Sequence, residues 1–126
     1  MSDAELVTRF ERAEVEELHH PDHVRVAFAY LRTMPLLDAI RAFTAALRRF
    51  AAAQGKPGLY HETITWAFLL IIHERMQLTP AAAWEAFIAE NDDLLHWKPS
   101  VIDSYYPAEV LQSEFARRVF VLPTRA

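Results

Sequence analysis

The chain has 126 residues, of which 52% are hydrophobic and 12% aromatic, with two glycines, no cysteine and a formal net charge of −4. That length suits one domain, the apolar content suffices for a packed core, and so few glycines argue against a turn-rich all-β fold. The lack of cysteine excludes disulfides, zinc fingers, thiolate metal sites and cysteine nucleophiles.

Charge is unevenly spread. Residues 1–23 carry seven acids and two bases, residues 24–56 one acid and six bases, and residues 57–126 nine acids and five bases. An acidic chain with one basic helix is a poor nucleic-acid binder, so no nucleic-acid partner is expected. The acidic start has no apolar signal-peptide core. The longest apolar run, Ile64 to Ile72 with Thr65 inside it, falls far short of the roughly 20 residues a membrane span needs. These features predict a cytoplasmic protein with no membrane partner.

Prolines at 21, 35, 57, 80, 99, 107 and 123 divide the chain into helix-sized pieces. Ser2 followed by Glu5 resembles a capping box and predicts a first helix from about Asp3 to Ala13, which Glu14 to Leu18 either extend or follow as a loop. Pro21 suits the first turn of a second helix, with His20 as its cap, running to Met34. Val24, Ala27, Phe28 and Leu31 form its core face, and Asp22, Arg25, Ala29 and Arg32 the opposite one. A third helix follows Pro35, with Leu36, Ile40, Phe43, Leu47 and Phe50 at helical period, and Gly55 closes it.

The fourth helix, about His61 to Leu78, is apolar on all sides from Ile64 to Ile72, which marks a helix buried at the middle of a domain. Thr79-Pro80 predicts the start of a fifth helix, continuing to about Glu90. Residues 94–112 read as short helical turns, Ser113 to Val119 as a last helix, and Phe120 to Leu122 as an extended tail. The expected fold is all-α: residues 1–126 as one compact helical domain, a bundle of five to seven helices around the buried helix at 61–78.

Two polar strings stand at helix starts: His19-His20-Pro21-Asp22-His23 and Tyr60-His61-Glu62-Thr63-Ile64-Thr65, which hold four of the six histidines. His20 and His23 are three apart and project to one side, whereas Glu62 points about 100° away from His61. An ionisable group at the start of a core helix must be paired, hydrogen-bonded or metal-bound. The positive helix terminus also favours neutral imidazole, the form that ligates metal or acts as a base. If the two strings converge, His20, His23 and His61 form a candidate site for a divalent metal, Fe or Zn. His61, Glu62, Arg25 and Tyr60 are then the candidate catalytic groups, with Glu62 as carboxylate partner and Arg25 or Tyr60 orienting substrate.

Structural roles compete with this reading. His61 and Glu62 can cap their helix, and Thr63 and Thr65 can bond the backbone through their hydroxyls. His19, His73 and His96 read as surface residues, and Tyr105-Tyr106 as packing. No HExxH, Walker loop, GxSxG or GxGxxG is present.

The strings His19-His20-Pro21-Asp22-His23-Val24-Arg25-Val26-Ala27 and Tyr60-His61-Glu62-Thr63-Ile64-Thr65 resemble a family of small uncharacterised bacterial helical proteins. The likeness extends to Asp92-Asp93-Leu94-Leu95 and Tyr105-Tyr106-Pro107. It implies that both polar strings are recognisable parts of that family. It carries no activity, cofactor or catalytic residue.

The leading expectation is a small-molecule enzyme using a His/Glu pocket, with a small-molecule ligand and a divalent metal as cofactor. The alternative is a non-enzymatic interaction or oligomerisation module, such as a homodimer. There the His/Glu cluster is a structural network, and Trp97, Tyr105, Tyr106 and Phe120 form the contact surface. A third reading is metal-free ligand binding or acid–base chemistry in the same pocket.

Overall fold

Local signals for starting and stopping helices account for most of the element boundaries. A computed structural model describes residues 2–14, 18–80 and 83–124. It contains α1 (Asp3–Glu11), α2 (His20–Thr33), α3 (Leu36–Ala53), α4 (Glu62–Leu78), α5 (Trp84–Glu90), α6 (Ala108–Leu111) and α7 (Glu114–Arg118). Tight 3-10 turns lie at Pro57–Leu59, Asp92–Leu95 and Val101–Ser104. Among the described residues no β-strand occurs, only an isolated bridge between Trp97 and Ser100. The all-α expectation holds, at the upper end of its five to seven helices.

Ser2 caps α1 by accepting from the Glu5 N–H at 3.1 Å. Gly55 closes α3 in the left-handed region (φ 74), where a side chain would be strained. Several boundaries differ from the sequence expectation: α1 ends at Glu11 rather than Ala13, the last helix is a residue shorter at each end, and two other helix starts move. α2 starts one residue early, so His19 is its cap and the Asp22 carboxylate accepts the His19 N–H at 3.2 Å. α5 starts at Trp84, with Ala83 in extended backbone before it. Residues 81 and 82, where the Thr79-Pro80 signal would have begun that helix, lie outside the described residues, as do 15–17 of the proposed extension of α1.

α4 is buried as its composition requires: no residue from His61 to His73 is exposed. α2 shares the centre with it. Val26 to Leu31 are all buried, because α2 packs against α1, α3, α4, α5 and the 92–95 turn. Ala29, expected on the outer face of α2, is therefore inside. Aromatic rings fill the remaining space: Phe10 meets Phe43 at 5.6 Å and Phe50 at 5.8 Å, and Phe28 stacks on Phe87 at 4.9 Å.

A second apolar cluster joins Phe68 of α4 to Ile102 and Tyr106. The tail after α7 closes over it. Trp66 stacks on Phe120 at 5.5 Å, and the Tyr106 hydroxyl donates to the Val121 carbonyl at 2.6 Å. Tyr106 is thus a core residue, and Tyr105 and Phe120 are half-buried; of the aromatics expected at a contact surface only Trp97 is exposed. Among the described residues no helix is long and apolar enough to cross a membrane.

Arg25 joins two helices here. Its Nε donates to Asp3 Oδ1 of α1 at 2.8 Å, with both side chains about a quarter exposed (25% and 26%). Partly solvated pairs of this kind are worth up to about 1 kcal/mol. Asp3→Ala should therefore lower the unfolding free energy by no more than about 1 kcal/mol in urea titration. A loss above about 2 kcal/mol would show that the pair carries more of the α1–α2 contact than its exposure allows.

Candidate functional site

The starts of α2 and α4 converge, and the C-terminal half of α3 faces them. Between them lies a cavity of about 580 Å³, inside the usual range for a small-molecule site. His20 and His23 line it from α2, and Tyr60, His61, Ile64 and Phe68 from α4 and the residues before it. Phe43, Leu47 and Phe50 of the α3 stripe, read from periodicity as core, form the opposite wall. The two polar strings, about 40 residues apart in the chain, do meet at one hollow.

His61 caps α4. Its Nδ1 accepts from the Ile64 N–H at 3.1 Å, and its Nε2 lies 2.7 Å from the Leu111 carbonyl. An N–H can only donate and a carbonyl can only accept, so the ring is neutral with its hydrogen on Nε2. A second proton on Nδ1 would point at the Ile64 N–H. Burial lowers the pKa, the nearby Arg117 guanidinium lowers it further, and the Leu111 carbonyl opposes both. Both ring nitrogens are thus spent within the protein.

His20 Nε2 donates to the Leu94 carbonyl at 2.9 Å, which leaves Nδ1 as a lone pair. Its ring sits edge-on to Phe68 at 5.0 Å and against Trp97 at 5.1 Å. Burial lowers its pKa. His23 is more deeply affected. Burial brings its pKa down to about 4, aided by the neighbouring His20, while the Leu18 carbonyl and Asp22 oppose the shift. The cavity therefore carries neutral imidazoles at neutral pH.

The other expected catalytic residues go elsewhere. Glu62 lies outside the cavity lining, where its Oε1 accepts from the Tyr60 hydroxyl at 2.5 Å and from Arg48 Nη2 at 3.3 Å. Tyr60 lines the cavity, with its hydroxyl committed to Glu62. The Arg48 guanidinium also lies over that ring, 4.6 Å from its centroid. Burial and the Glu62 acceptor raise the Tyr60 pKa, so the phenol stays protonated. Arg25 is absent from the cavity wall, tied to α1 instead. Thr63 and Thr65 bond the backbone through their hydroxyls: Thr65 Oγ1 donates to the His61 carbonyl at 2.7 Å, and Thr63 Oγ1 to Val119 at 2.8 Å.

The donor chemistry does not favour the expected metal set of His20, His23 and His61. His61 has no lone pair to give without losing its cap, and Glu62 is turned away. Among the described residues no group of three or more His, Cys, Asp and Glu side chains is placed to hold a metal ion.

Sequence reasoning missed Trp97, Arg117 and the Leu94 and Leu111 carbonyls. Each comes from a segment whose docking position no periodicity encodes. Compared with protein families, curated proteins and solved structures, the chain matches none.

Proposed function

We propose that the protein binds an apolar small molecule in the cavity between the starts of α2 and α4, with His20 and His23 as its hydrogen-bonding groups. The observation that carries this reading is the cavity itself: about 580 Å³, with mostly apolar walls and neutral histidines, His20 and His23 from the start of α2 and His61 from the start of α4. Such a hollow with few polar groups is the usual form of a small-molecule site. His20 and His23 offer lone pairs, so the fitting ligand group is a hydroxyl or an N–H. The enzyme reading built on His61, Glu62, Arg25 and Tyr60 has less in its favour, because the polar atoms of all four already serve protein partners. Binding without a metal, in a cytoplasmic protein, is the form we adopt.

The structural-network reading is favoured at one of the two strings. Tyr60, His61, Glu62, Thr63 and Thr65 all have side-chain hydrogen bonds inside the protein. We assign that string to holding the cavity wall together, and the α2 string to the ligand.

N-phenyl-1-naphthylamine, an uncharged apolar fluorophore, is a suitable probe. Leu47 and Ala51 both line the cavity from one face of α3. The paired substitution Leu47→Trp with Ala51→Phe should fill that wall and weaken probe binding by about tenfold or more. Far-UV circular dichroism should show helix content retained. Equal probe affinity in this folded variant would sink the binding reading, as would an absence of binding to the unsubstituted protein.

A further inference from the structure

The polarity of the cavity runs in one direction. Its inner wall is apolar: Leu69 and Ile72 are fully buried, and Phe43 and Val24 nearly so. Its rim includes Leu59, 68% exposed, and Arg117 of α7. Arg117 is the charged side chain among the described lining residues, and no Asp or Glu among them faces it. Its Nη1 donates to the Gly58 carbonyl at 2.7 Å, which fixes the guanidinium beside the rim. Among the described residues it forms no ion pair, unlike Arg25, Arg48, Arg75 and Arg118.

Two acids neighbour the residues of that rim in sequence, and each already pairs with another arginine: Glu62 with Arg48, and Glu114, three residues before Arg117 on α7, with Arg118. His20 and His23 cannot hold an anion, since each is neutral and a free imidazole nitrogen repels negative charge. An anionic group entering this cavity therefore has one place to rest, against the Arg117 guanidinium, whose remaining donors can take it with charge-assisted hydrogen bonds.

Resting on the ligand-binding reading above, we infer that the cavity selects an amphipathic monoanion, an acid head held at Arg117 with an apolar body directed toward Leu69 and Ile72. A carboxylate or sulfonate on a hydrophobic frame is the chemical class.

Two probes with one skeleton separate the contributions. 8-Anilinonaphthalene-1-sulfonate carries the anion, and N-phenyl-1-naphthylamine lacks it. The sulfonate should bind the unsubstituted protein more tightly than the uncharged probe. Arg117→Gln should weaken the sulfonate by about tenfold and leave the uncharged probe within about twofold. Arg117→Lys should recover part of the loss, because it restores charge without the planar fork. Equal weakening of both probes in Arg117→Gln would overturn the anion assignment, by showing that the residue only supports the Gly58 turn. So would equal affinity of the two probes in the unsubstituted protein. In either case the uncharged probe would still report the cavity, so the binding reading would stand. If neither probe binds, both fail together.

Discussion

Acidification from about pH 7 to about pH 4 should remove about 3 kcal/mol of folding stability through His23 alone. The unfolded ring titrates near 6.5 and the folded ring near 4. Between those values the unfolded chain binds a proton that the folded chain refuses, so stability falls as pH falls. The contribution is whole above 6.5 and gone once pH has passed through about 4. His20 and His61 are shifted in the same direction by the same cause, burial, and steepen the decline. Asp93 acts lower. Hydrogen bonds from Arg75 depress its pKa below 3.8, so its contribution persists through this window and is lost beneath it. For a domain of ordinary stability, about 5–15 kcal/mol, the His23 loss is a large share. Urea midpoints measured across the window should fall steeply for the unsubstituted protein and less so for His23→Gln, which cannot titrate. Parallel declines in the two proteins would mean that His23 is not the buried neutral group described here.

Thr63→Val should cost about 2 kcal/mol. Thr63 is fully buried, and its Oγ1 both donates to the Val119 carbonyl at 2.8 Å and accepts from the Val121 N–H at 3.1 Å. Valine keeps the shape but supplies neither bond, so two main-chain groups of the tail lose their partner. Thr63→Ser keeps the hydroxyl and loses only a methyl group, a change of about 1 kcal/mol. Urea unfolding should therefore rank serine above valine at this position. A valine variant as stable as the unsubstituted protein would show that the tail finds water in place of Thr63.

The architecture was largely legible because it rests on local signals. Pro21 and Pro35, the α3 stripe from Leu36 to Phe50, Gly55 and the all-round apolar α4 each say something about their own neighbourhood, and each does so correctly. What periodicity could not reveal was that α2 is hemmed in from several directions. Ala29 has no preference that separates an outer face from an inner one, and only the docking of other elements decides. The candidate site was legible in outline. His20, His23, Tyr60 and His61 meet at one cavity, as their burial at two helix starts suggested. The division of labour was hidden. Whether His61 spends its nitrogens on Ile64 and Leu111, or keeps one for a ligand, depends on where α6, 50 residues later, comes to rest. Glu62, expected as the carboxylate partner of the pocket despite its 100° offset from His61, lies instead with Tyr60 and Arg48.

The bonds from Thr63 to Val119 and from His61 to Leu111 span 56 and 50 residues of chain. They tie the start of α4 to α6 and to the segment that follows α7. A change that displaced either segment would leave the bonding groups of His61 and Thr63 without their partners and loosen one wall of the hollow.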